Sequence, residues 1–109
     1  MQMHQIRYFL ALCEERNFTR AAKRCGVSQP SLTNAIMGLE RELGGVLFQR
    51  KPLIALTVLG QAVQPYFQRI AENADHARDA AHGLATAPPA DRRATPLEPD
   101  ARSPLWPSS

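Results

Sequence analysis

Two residues, Val27 and Ser28, separate two stretches of helical character, and this spacing limits the fold more than anything else in the chain. Upstream lies "RAAKRC", closed by Gly26, a residue that takes the left-handed C′ conformation at no steric cost. Downstream, Ser28 offers a cap, Pro30 falls in the first turn where an N–H has no helical partner, and Gly44 marks the end. A short helix, a tight glycine turn and a second helix make a helix-turn-helix. Ala21 and Ala22 are small enough to let the two helices approach closely.

The neighbouring segments complete the architecture. Ile6, Phe9, Leu10 and Cys13 follow i, i+3, i+4, i+7 spacing, which predicts an amphipathic helix over residues 4–16. Thr19 is the expected cap of the second helix. In the third helix Leu32, Ile36, Leu39 and Leu43 gather on one side as a core face, and Pro30, Asn34 and Arg41 fall opposite, with Thr33 and Met37 on the flank. Phe48-Gln49-Arg50 and Ile54-Ala55-Leu56 are β-suited runs around Lys51-Pro52-Leu53, which predicts a hairpin. Thr57 then caps a long helix. Val63, Phe67, Ile70, Ala74, Ala77, Ala81 and Leu84 alternate spacings of 4 and 3, an unbroken seam expected to pair with a second helix. Pro65 is expected to bend this helix near its start.

The expected fold is therefore mainly α: a winged helix-turn-helix of three helices and a short β-hairpin wing over residues 1–57. A dimerisation helix over 58–86 and a proline-rich tail over 87–109 follow. The tail, "PPADRRATPLEPDARSPLWPSS", lacks apolar periodicity, and Trp106 is its one large apolar group. The net charge is +3, and the positive excess lies in the first sixty residues, where a polyanion would be met.

Several function classes are disfavoured. There is no continuous apolar run of membrane-spanning length and no signal pattern at the N-terminus, so a cytoplasmic location without membrane association is expected. Cys13 and Cys25 are read as reduced packing residues. His76 and His82 are six apart on a helix and cannot share a metal as an i, i+4 pair can. Asp79 and His82 read as a surface pair, and no glycine-rich phosphate loop or nucleophile–base arrangement appears. Neither an enzyme nor a cofactor is expected.

The outer face of the third helix then acquires a purpose, because a helix fits the major groove of B-form DNA. Asn34 can bridge adenine N6 and N7, Thr33 or Met37 can touch a thymine methyl, and Gln29 and Ser31 can bond phosphate or a base edge. Arg50 and Lys51 of the hairpin are candidates for the minor groove or phosphates, and one or two of Arg20, Lys23 and Arg24 for phosphate contact.

The stretch "IRYFLALCEERNFTRAAKRCGVSQPSLTNAIMGLERELGGVLFQR" with "LTVLG" resembles the N-terminal DNA-binding domain of LysR-type transcriptional regulators, through "FTRAA", "VSQPSLT", "LEREL" and "LFQR". The resemblance spans residues 3 to about 60. It implies that Thr19, Gln29, Pro30, Thr33, Asn34 and the wing lie near double-stranded DNA, and that the seam helix joins two subunits. The chain departs from the family pattern in places: Asn34 stands where a longer basic or amide side chain is frequent, Pro52-Leu53 where the wing commonly carries arginine, Leu59 where alanine is common, and Cys25 where a larger aliphatic residue is usual. The family normally continues into a two-lobed effector-binding domain, so no small-molecule effector is expected of these residues. The reading is a homodimeric, sequence-specific DNA-binding regulator. Its alternative is an interaction module that pairs with a longer relative through the seam without reading DNA itself.

Overall fold

The computed structural model describes residues 1–85. The expectations for the tail, Trp106 included, lie outside the described residues. In chain order the elements are α1 (Met3–Glu15), α2 (Phe18–Cys25), α3 (Gln29–Leu43), β1 (Phe48–Gln49), β2 (Ala55–Leu56) and α4 (Val58–Ala85). Helices α1, α2 and α3 pack on one another, and β1 and β2 form an antiparallel pair that sets Phe48 against Leu56 and Gln49 against Ala55.

The core is built from one stripe of each helix. Phe9, Leu12, Leu32, Ile36, Leu39 and Leu47 are fully buried, with Ile6, Ala21, Ala22, Phe48 and Phe67 beside them. The Phe9 ring stands edge-on to Phe67 at 5.2 Å and tilted to Phe48 at 5.3 Å, so one aromatic cluster joins α1, α4 and the hairpin. Every backbone turn has a visible cause. Arg16, left-handed at φ 53°, closes α1 with its N–H on the Leu12 carbonyl. Gly26 closes α2 at φ 70°. The Ser28 hydroxyl accepts the Ser31 N–H as expected of the α3 cap, with Pro30 in the first turn. Glu40 reaches forward and accepts the Leu47 N–H at 2.8 Å, fixing the entry into β1.

Thr57 caps α4 as expected: its hydroxyl accepts the Gly60 N–H at 3.1 Å and donates to the Val46 carbonyl at 2.6 Å. Gly60 lies against the hairpin so closely that a Cβ there would stand 2.3 Å from the Leu47 carbonyl oxygen. The helix continues through Pro65 without interruption.

Three expectations change. The cap of α2 is Asn17, whose side chain accepts the Arg20 N–H at 2.8 Å, and Thr19 sits inside the first turn. Asn17 wins because its extended backbone starts the helix one residue before Phe18. The strands are two residues each, so Arg50 and Ile54 flank the pairing instead of joining it. The seam of α4 is not one continuous exposed stripe. Phe67 is 3% exposed and belongs to the core, Val63 and Ile70 pack against that core, and Ala74 is half-buried. Ala77 is exposed. The first compact unit runs from Met1 to Ala77, and the start of α4 contributes Phe67 to its core. A second unit begins at Arg78; its described residues, 78–85, are helical, with Ala81 and Leu84 exposed.

Candidate nucleic-acid interface

Helix α3 carries its two faces as the spacing predicts. Leu32, Ala35, Ile36 and Leu39 are buried, and Leu43 is half-buried at the helix end. Gln29, Pro30, Ser31, Asn34, Met37 and Arg41 are exposed, and Thr33 is half-buried on the flank. No element of the first unit covers the side that holds Asn34. The start of α3 is tied to α2 by one side-chain bond: the Thr19 hydroxyl donates to Gln29 Oε1 at 3.2 Å. That bond occupies the acceptor side of the Gln29 amide and leaves its NH₂ as the outward group.

The basic residues divide into two populations. On α2, Arg24 bonds Glu14 and Glu15, which lifts its already high pKa further, chiefly through the Glu14 hydrogen bond. Arg20 donates to the Glu15 carbonyl at 3.0 Å and lies 3.6 Å from the Glu15 carboxylate. Arg7 pairs with Asp75 at 3.1 Å. Arg50 and Lys51, by contrast, are exposed and make no ion pair among the described residues. The α2 arginines thus already hold the end of α1, whereas the hairpin cations are available to an outside anion.

Structure adds residues that the sequence reading passed over. Phe18 begins α2 and its ring lies beneath the Arg50 guanidinium, 5.0 Å from ring centroid to carbon. Phe18, Gln29, Thr33, Arg50 and Ile54 line one open recess between α3 and the base of the hairpin. Two expected site residues on α3 and one on the wing therefore meet in a single place. Leu53 at the hairpin tip is 76% exposed. Cys13 and Cys25 are free thiols, and burial pushes Cys13 up to about 12, so it stays a neutral packing group. No helix among the described residues is long and apolar enough to cross a membrane.

Three packed helices, a two-stranded hairpin and an uncovered face on the third helix define a winged helix-turn-helix domain. The family model of the bacterial regulatory helix-turn-helix protein, lysR family, matches residues 3–61. The chain belongs to that family, whose members here are transcriptional regulators and not enzymes. It is 42% identical over 86 residues to the HTH-type transcriptional regulator BudR of Klebsiella aerogenes, covering 78% of this chain and 60% of that relative. Of several other relatives it spans about 30%. Among solved structures, it is similar to the BenM DNA-binding domain in complex with catB site 1 DNA, with a TM-score of 0.76 and 31% identity, covering 81% of this chain and 100% of that one. It is also similar to the CbnR DNA-binding domain in complex with DNA, with a TM-score of 0.71 and 40% identity, covering 78% and 99%.

Proposed function

We propose that the chain is a sequence-specific transcriptional regulator that binds operator DNA as a homodimer, each protomer placing α3 in the major groove of one half-site. The observation that carries this reading is the bare outer face of α3, set opposite a fully buried leucine face. Its likeness to two domains solved with DNA, over nearly the whole of each, supports the same reading.

The roles follow from chemistry. Asn34 bonds an adenine edge through both amide atoms, and Met37 with Thr33 meets a thymine methyl. Ser31 and Gln29 serve phosphate or a base edge from the positive end of α3, and Pro30 sets the first turn against the duplex. Arg50 and Lys51 contribute phosphate contacts. Arg20 reaches the backbone only by leaving Glu15, and Thr19 acts through Gln29. Residues 1–57 supply the DNA contacts and 58–86 the link to a second copy. The exposed residues of the seam, Ala77, Ala81 and Leu84, supply the apolar contact between copies.

In-vitro selection of bound duplexes at near-physiological salt tests the reading. The expected product is an enriched two-fold-symmetric site, since protein symmetry is mirrored in half-sites. A pool that stays unenriched while the protein remains folded rejects it.

A further inference from the structure

The recess between α3 and the hairpin has a composition suited to one anion. Arg50 supplies full charge, Gln29 an NH₂ donor and Thr33 a hydroxyl, and Phe18 and Ile54 form an apolar wall. Phe18 does more than fill space. A ring face attracts a cation without neutralising it, so an arginine held over phenylalanine keeps its charge for an outside partner, unlike one held on a carboxylate. Arg24 and Arg20 show the second arrangement, on Glu14 and Glu15, and Arg50 shows the first. Gln29 opens α3, and the positive end of a helix adds to the preference for an anion.

We propose that this recess seats one backbone phosphate of DNA, and that Phe18 is the positioning residue that holds Arg50 over the seat. The seat joins α3 to the wing, so a single phosphate registers both on the duplex. This rests on the DNA-binding reading above.

The test measures binding of the full chain to a random-sequence duplex of about 30 base pairs, long enough for two half-sites, between about 50 and 200 mM salt. Arg50→Gln removes one phosphate contact from each protomer and so lowers the steepness of the log–log salt dependence of the dimer by about 1.8, the value for two phosphates. Phe18→Leu keeps an apolar side chain and removes the ring; it weakens binding about two- to fivefold. Added to Arg50→Gln it costs nothing further, and Phe18→Tyr binds like the parent. An unchanged salt slope in Arg50→Gln overturns the seat whatever Phe18 does. A Phe18→Leu loss that persists undiminished beside Arg50→Gln overturns the positioning role, because packing damage does not depend on the guanidinium. A parent chain that is folded yet binds no duplex at about 50 mM salt rejects the DNA-binding reading itself, a result separable from either.

Discussion

Helices α3 and α4 each carry one apolar stripe, and the fold treats the two differently. In α3 the stripe of Leu32, Ile36 and Leu39 is wholly sunk, and what remains outside is mostly polar, with Pro30 and Met37 among it. In α4 the stripe is sunk at Phe67 and packed at Val63 and Ile70, whereas Ala77, Ala81 and Leu84 are exposed. A stripe that ends where its core ends leaves a face for a polar ligand. A stripe that outlasts its core calls for another apolar surface. The first case suits a duplex and the second a protein.

The contrast can be pressed hardest at Phe67. Phe67→Ala should cost about 3–5 kcal/mol of unfolding free energy, the usual range for a buried phenylalanine, read by denaturant titration; a cost below about 1 kcal/mol would return Phe67 to the exposed seam. Leu84→Asp should leave the unfolding of one protomer nearly untouched and weaken self-association about ten- to a hundredfold, since a buried leucine is worth about 1.5–3 kcal/mol. Sedimentation at graded concentration checks this, and equal dimer content in parent and variant would remove Leu84 from the contact.

On the α3 side, Asn34→Ala should cost about 1–3 kcal/mol on the selected duplex and little on random sequence, measured by competition binding. Equal losses on both duplexes would take Asn34 out of base readout. Lys51→Ala should have the smallest effect: affinity falls alike for all sequences, and the salt slope of the dimer drops by about 2, one for each protomer.

Much of this was readable in the sequence, and the gaps have physical causes. Ser28, Pro30, Gly26 and Gly44 punctuate helices through local backbone rules, so the helix-turn-helix and its two-faced third helix follow from neighbours in the chain. Thr57 works the same way. Thr19 misled because Asn17, two residues earlier, is the better cap, and its extended backbone and side-chain acceptor start the helix there. The seam misled because spacing of 3 and 4 reports that a face is apolar and not what covers it: Phe67 is buried against Phe9, whereas Ala81, at the same periodicity, is exposed. Phe18 escaped notice because its meaning lies in Arg50, 32 positions away, and no local pattern couples the two. The pairing of Arg20 and Arg24 with Glu14 and Glu15 escaped for a similar reason: charge counts show how many cations a segment has, not which are already engaged.

The root of α4 is wedged. With Gly60 pressed to the Leu47 carbonyl and Thr57 bonded on both sides of the junction, the joint has no slack for even one methyl group. Such a joint works as a fixed bracket and not as a hinge. Any change in the direction in which α4 leaves the domain would have to arise farther along the helix than this joint.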